Sequence, residues 1–586
     1  MMNINPKSTC QRYFTEELTP THKKYLALRD FFVEGLNAEQ VADKHGYTIS
    51  TIYSMARDFR QELSEQEDPF FKAVKVGRKP IDHKGGIAEL VVSLRKKYLS
   101  VPDIQVALDA RGIALTIYTI EKILTDEGFA RLPRRDKQER LDANASAVQK
   151  LSAPIAARLR LQPERFNTQL AGLLSVVPTI LHYGIDKAIR ESPYPQTKDL
   201  SRLNSILSFV ALKLSNVKRY SADDMWCMDR GMGLFAGLNV LPKAAWFSSY
   251  SSGVTREMNV KFLRSLQNIW KVHGLLGDTA NMDFSAIPYW GDDEHLENNW
   301  SGKRGRALAA LQAALSHDPD TGIILYGDTT IRHNTQNDTV LTFLDFYYAD
   351  SNANNTLKYL VFDCRFTTYQ HLDKINTRNI KFITIRSRCA SIIKHIDSID
   401  NSKWKKVKIS KVKGTRTIQA YEEYRELSGY EGLVRHVYIK TGRTKPAIII
   451  TNDMQISLSE LVRKYCRRWL IETEISEHIE FFHFNRNSSG IVIKVDFDLT
   501  MTILAHNVMR LYCKELEGYS HCEAETIFNK FISAPGDVTV GDGTIDVILK
   551  KKKSLPTLVE HLDSLGNVPV TWLDDFDISF GVGSTS

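Results

Sequence analysis

The sequence predicts a multidomain α+β protein, and three observations predict it. At 586 residues the chain is longer than one hydrophobic core usually organises. Its first third shows helical apolar spacing interrupted by short turns. From about Asp224 the pattern changes to short apolar runs, broken by Gly, Pro and Ser, that alternate with helical stretches. Hydrophobic residues make up 43% and charged residues 25%, the proportions of an ordinary globular protein. No run approaches 18 consecutive apolar residues, and Met-Met-Asn-Ile-Asn-Pro-Lys has no apolar signal core, so no membrane partner is expected. The seven cysteines are scattered and never form a C-x-x-C pair, which argues against a disulfide framework or zinc ribbon and fits the cytoplasm. A net charge of +8 and a pI near 8.8 are compatible with nucleic acid.

The N-terminal third carries two candidate DNA-binding modules, at 1–65 and 66–135. In the first, Leu28, Phe31, Phe32 and Leu36 have helical spacing, Ala38–Lys44 forms a second helix, and His45-Gly46-Tyr47 turns the chain. Gly46 supplies the turn and Ser50 is the expected N-cap of a helix reaching about Leu63. Val41, Ala42, Ile49, Ile52 and Met55 would pack the corner, leaving Thr51, Tyr53, Ser54 and Arg57 toward a major groove. An ordinary helical pair is the plainer alternative. Arg78 and Lys79 lie in a Gly-Arg-Lys-Pro segment suited either to a minor groove or to a solvated linker. A second three-helix order follows at 87–130, with Ser100 or Asp103 as the expected cap. Residues 136–225 read as a mostly helical connector.

Carboxylates set in apolar strands are the chemical signal of the middle of the chain. Thr279–Pro288 reads as a strand with Asp283 between Met282 and Phe284, and a buried acid needs a partner or a metal. Tyr359–Phe362 reads as a buried strand that ends in Asp363, and strand ends are where α/β sheets build sites. A helix at Gln370–Asn376 and a strand at Lys381–Ile385 follow. Asp292 and Asp293 are expected to be solvated, and Asp338 structural. Asp363 stands far from the next motif, and residues 389–444 fill the interval with alternating Lys and apolar residues, as amphipathic strands do. The helical octet Tyr465-Cys-Arg-Arg-Trp-Leu-Ile-Glu472 closes the series. At 100° per residue Tyr465, Arg468 and Glu472 fall within about 60° on one face. Alone, this arrangement favours a structural ion pair over a metal ligand.

The octet resembles the signature of bacterial insertion-sequence transposases of the DDE type, in the subgroup with a Tyr–Arg–Glu–Lys motif. Tyr465, Arg468 and Glu472 match it; Ile479 stands where the family has Lys. The resemblance implies an RNase H-like core in two parts, 226–388 and 445–520, with an inserted basic β domain at 389–444 and a C-terminal segment at 521–586. It also implies that Asp283, Asp363 and Glu472 hold Mg²⁺, with Mn²⁺ as a substitute. Tyr465 and Arg468 would then position DNA phosphate or brace Glu472. Three carboxylates suit hard cations, and metal-assisted phosphodiester chemistry activates one oxygen and stabilises another as it leaves. His483, eleven residues past Glu472 on an unbroken helix, or Arg486 would replace the missing lysine. The expected activity is strand cleavage and transfer at the ends of a mobile DNA element and into target DNA, by a homodimer on double-stranded DNA. A non-catalytic transposase-derived DNA-binding protein, a tyrosine recombinase using Tyr465 and a plain Mg²⁺ nuclease are the alternatives.

Overall fold

The N-terminal helices take their ends from short polar side chains, as helix termini require. In the computed structural model α1 spans Pro20–Phe32, α2 Ala38–His45 and α3 Ile49–Ser64. The structure describes residues 19–64, 70, 87–96, 101–109, 113–126, 159, 161–198, 200–218, 225–288, 296–301, 305–349, 356–410, 415–440, 446–484, 492–566 and 568–583. The chain divides into two compact units, 1–85 and 86–586. In the first, Asn37 and Gln40 form a reciprocal capping box at the start of α2, and Gly46 ends it with φ 61°. Thr48 caps α3, its hydroxyl accepting the Thr51 amide, so the cap expected at Ser50 falls two residues earlier. Ala27, Val41, Ala42 and Ile52 form the core with Met55 against it, whereas Ile49 faces solvent one helical turn before Tyr53. Asp30 is buried; burial raises its carboxyl, and the hydrogen bonds of Lys44 and His45 outweigh that and hold it below the ordinary range.

The second unit begins with α4 (Ile87–Lys96), α5 (Val101–Asp109) and α6 (Ile117–Asp126), closed on Val91, Leu94, Ile104, Leu108, Ile120 and Leu124. Ser100 lies outside the described residues. The expected connector contains strand β1 (Glu164–Thr168), which pairs antiparallel with β12 (Gly536–Gly541) near the other end of the chain. With β13 (Thr544–Leu549), β14 (Val568–Val570) and β15 (Phe576–Val582) they make a five-stranded sheet. The connector and the C-terminal segment therefore share one sheet. Helices α7 (Arg202–Leu214) and α8 (Arg256–Val272) lie between β1 and the main sheet in sequence.

The main sheet has ten strands. They are β2 (Thr279–Pro288), β3 (Asn298–Ser301), β4 (Arg306–His317), β5 (Ile324–Ile331), β6 (Tyr359–Phe362), β7 (Lys381–Ile385), β8 (Lys405–Ser410), β9 (Thr415–Glu426), β10 (Leu433–Lys440) and β11 (Ala447–Thr451). Their order is β3-β4-β2-β6-β7-β11-β10-β9-β8, with β5 also on β4. β2 and β4 pair antiparallel, β2 and β6 parallel, and β6 and β7 parallel. The Ala/Leu run after Arg306 forms β4. The strands of 389–444 join this sheet through β10 and β11 instead of forming a sheet of their own. β8 is its edge, with Lys406 and Lys408 exposed, a charge pattern that discourages edge pairing.

Period-two alternation gives the sheet two packed faces. Leu360, Phe362, Phe382, Ile448 and Ile450 enter the main core; Val361, Ile383 and Ile449 enter a second. The helices around the sheet are α9 (Thr339–Tyr347), α10 (Tyr369–Thr377), α11 (Ala390–Ser398), α12 (Leu458–Arg467), α13 (Leu470–Glu480) and α14 (Val492–Glu515). Leu461 and Val462 of α12 cover the second core. α14 is buried around nearly its whole circumference, as a central helix must be apolar on all sides. Its one buried acid, Asp496, is answered by Arg256 at 2.9 Å and by the Asn259 amide at 2.7 Å.

Two predictions follow from this packing. A Cβ on Gly327 of β5 would meet Ile503 Cδ1 at 2.5 Å and Leu499 Cδ2 at 2.9 Å. Gly327→Ala is therefore expected to cost about 1–3 kcal/mol, read as a lower urea midpoint at unchanged m value. His436 on β10 is buried, and burial, aided by the Arg386 guanidinium, pushes its pKa down to about 4. The unfolded imidazole takes a proton near pH 6.5. Stability from this group is thus complete above about pH 6.5 and lost as the pH falls toward 4. Thermal midpoints should drop across that window, and less so in His436→Gln.

Candidate active site

β2 and β6 run parallel in the register Thr279↔Tyr359, Ala280↔Leu360 and Asn281↔Val361. The ladder ends there, two residues short of Asp283 on β2 and of Asp363 beyond β6, and Asp363 lies close enough to Asp283 to act on its carboxyl. β6 ends at Phe362, and Asp363 turns to cap Cys364–Phe366 by accepting the Arg365 amide at 3.2 Å. The turn is held by Phe366, whose ring stacks on Phe284 with centroids 3.7 Å apart. Asp283 is buried, and its Oδ1 accepts the Phe284 amide at 2.8 Å.

The helix carrying Glu472 is not continuous. α12 stops at Arg467 and α13 begins at Leu470. Across the joint the amides of Arg468, Trp469, Ile471 and Glu472 each bond three residues back, at 3.1–3.3 Å, so the turn is tightened. The Arg467 carbonyl is taken by the Asn281 side chain at 3.0 Å. Arg467 itself reaches the Pro319 carbonyl and Asp320, each at 2.7 Å. Lys464 ties α12 to the start of β2 through Thr279 Oγ1 at 2.8 Å and Asp278 at 3.2 Å.

The joint turns Arg468 inward, only 8% of its side chain exposed. Nη1 donates to Asp283 Oδ2, and Nη2 lies 3.5 Å from Glu472 Oε1. The Tyr465 ring lies 5.9 Å from the guanidinium. Burial raises the Asp283 carboxyl, Arg468 opposes this, and Asp363 adds to the rise. Burial likewise raises the Tyr465 hydroxyl, which Asp363 also pushes upward. Glu472 remains 57% exposed. The structure thus gathers Asp283, Asp363, Arg468, Tyr465 and Glu472.

Other expected residues lie elsewhere or cannot be described. α13 ends at Glu480, so the helical extrapolation from Glu472 to His483 fails. His483 has φ 55°, is buried, and its ring Nε2 bonds Asn216. Ile479 is half-buried on α13, and Asp338 pairs with His371 at 3.5 Å. In the N-terminal unit Tyr53 and Arg57 share an exposed face, Arg57 paired with Asp58 at 2.9 Å, and the Thr51 hydroxyl is bonded to Thr48. Arg78, Lys79, Arg486, Asp292 and Asp293 lie outside the described residues. Asn281, Lys464 and Arg467 were missed by the motif reading. The polar stripe Asn281–Asp283–Ser285 at period two was the available signal for Asn281.

Removing Arg468 would leave Asp283 buried beside Asp363 without its guanidinium. Arg468→Ala should destabilise the fold by about 2–4 kcal/mol, and Arg468→Lys by less, because Lys keeps the charge but not the two-pronged reach. Urea unfolding of the two variants checks the order.

No curated protein matches the chain. Residues 282–508 match the family model described as Transposase DDE domain, a stretch that opens one residue before Asp283, takes in Asp363 and Glu472, and supports a DDE transposase.

Proposed function

We propose that this protein is a DDE transposase that binds the ends of a mobile DNA element and cuts and joins DNA strands with Asp283, Asp363 and Glu472. The observation that carries this reading is the buried Arg468, which links Asp283 to Glu472, with Asp363 close enough to act on Asp283. The run β5-β4-β2-β6-β7, antiparallel in its first three strands and parallel thereafter, supports an RNase H-like core. The Tyr–Arg–Glu spacing supports the subgroup, with Ile479 its one departure.

The donor set fits a hard divalent cation. The three carboxylates offer oxygen only, and the push of Asp363 on Asp283 is what a bound cation would relieve. Asp283, Asp363 and Glu472 would hold Mg²⁺, or Mn²⁺ in its place. When bound, the ion lowers the cost of charge on the attacking and leaving phosphodiester oxygens. Arg468 and Tyr465 orient the DNA phosphate at the carboxylates, and Arg468 opposes the rise that burial imposes on the Asp283 carboxyl. Tyr53, Arg57 and Thr51 of the N-terminal unit, with Arg78 and Lys79 later in the same unit, supply contacts to the element end. Arg486 remains the candidate for the lysine's phosphate contact, since His483 is engaged by Asn216. Two ends must be handled together, so a homodimer on double-stranded DNA is the working assembly. We place it in the bacterial cytoplasm, on the nucleoid.

Purified protein should nick a duplex carrying the DNA that flanks its gene, at a fixed position, with Mg²⁺ or Mn²⁺ and not with EDTA. Glu472→Ala should reduce nicking to background while DNA binding persists. Specific binding with no cleavage by the unaltered protein would favour a non-catalytic DNA-binding descendant, to which Ile479 lends support. Nicking undiminished in Glu472→Ala would mean that the active site lies elsewhere.

A further inference from the structure

The opposite side of α13 carries a second set of ionisable groups. Glu474, Glu477 and His478 lie about 140° to 240° around the helix from Glu472, and they face inward. Opposite them on α14 is His506, wholly buried. His506 Nε2 lies 3.1 Å from the Gly322 carbonyl oxygen and 3.1 Å from Glu474 Oε2. Its Nδ1 lies 3.3 Å from Glu477 Oε2. One ligand atom from each of Glu474, Glu477 and His506 falls within 4.8 Å of the others. His478 is also wholly buried, neither of its nitrogens has a hydrogen-bond partner among the described residues, and its ring centroid is 4.9 Å from that of His506.

Charge sharpens the point. Two carboxylates here face one permanent cation, Arg510, which acts on Glu474 while its guanidinium donates to the Ser520 and Cys522 carbonyls. The second positive charge is a proton in the place an ion would take: burial lowers His506, but Glu474 and Glu477 outweigh that and hold its pKa up to about 9. Nε2 faces the Gly322 carbonyl and Nδ1 faces Glu477, so Nδ1 is the nitrogen an ion would take in place of its proton. A histidine that ligates a metal is held in this way, its other ring N–H given to a carbonyl or carboxylate.

We propose that Glu474, Glu477 and His506 form a structural site for a first-row divalent ion, Zn²⁺ in chemical class, separate from the three-carboxylate site. Two carboxylate oxygens and one imidazole nitrogen are ordinary Zn²⁺ ligands, and His478 or a water would complete four-coordination. On binding, His506 releases its second proton to solvent as the bond from Nδ1 to the ion forms; no electron is transferred. The ion would join α13 to α14 beside the β4–β5 turn, and so fix the helix that bears Glu472. The inference does not depend on transposition.

The test loads the purified full-length protein with Zn²⁺ alone, desalts it and measures metal per chain. Asp283→Asn/Glu472→Gln and Glu477→Gln are run in parallel. About one Zn²⁺ per chain is expected in the unaltered protein and in the double variant, with at least about a tenfold loss in Glu477→Gln. X-ray absorption of the loaded, unaltered protein should show imidazole in the first shell, and this decides the matter if Glu477→Gln does not fold. Retention under about 0.1 Zn²⁺ per chain, equal retention in a folded Glu477→Gln, or a shell without imidazole would overturn the proposal. His506 would then stand as an imidazolium between two glutamates.

Discussion

The Arg468 guanidinium is where the sheet, the broken helix and the carboxylates meet. A buried carboxylate beside a second one is costly, and Asp283 is tolerated because Arg468 reaches it from the joint between α12 and α13. That reach depends on the joint being short and tight, since an unbroken helix would carry Arg468 along a different path. The joint depends in turn on Asn281, which fills the hydrogen-bonding vacancy at the Arg467 carbonyl from the same strand that bears Asp283. Strand, joint and charge pair therefore constrain one another, and none of them can be altered alone.

Much of the core was legible because its signals are local. The strands at Thr279–Pro288, Tyr359–Phe362 and Lys381–Ile385 fall where their apolar runs placed them, and both aspartates sit where an acid interrupts such a run. What stayed hidden was set by distant contacts. Nothing in Tyr465–Glu472 announces a break, because it holds neither Gly nor Pro; the break exists because Asn281 and Pro319 receive it. The eleven-residue extrapolation to His483 failed for the same reason, as periodicity carries no information past an end that the local residues do not mark. In 389–444 the alternation gave strands correctly from Lys405 onward, while Ala390–Ser398 is the helix α11, and alternation cannot say which sheet a strand joins.

The sheet's reach also changes what the lysine-rich segment can do. As the outer strands of the main sheet, β8 and β9 share a continuous backbone ladder with β6, and so with Asp363. A load placed on the lysine edge is borne by the same hydrogen-bonded frame that spaces the carboxylates, without a flexible linker between them.

The pairing of β1 with β12 bears on synthesis. Asn167 and Asp537, bonded across those strands, are separated by 370 positions in the chain. At about 5–20 residues per second, the ribosome needs roughly 20–75 s between them. Through that interval β1 has no strand to join, and the sheet that binds the connector to the C-terminal segment cannot close. The nascent chain must therefore remain incomplete, and shielded from neighbours, until nearly the last of it has emerged.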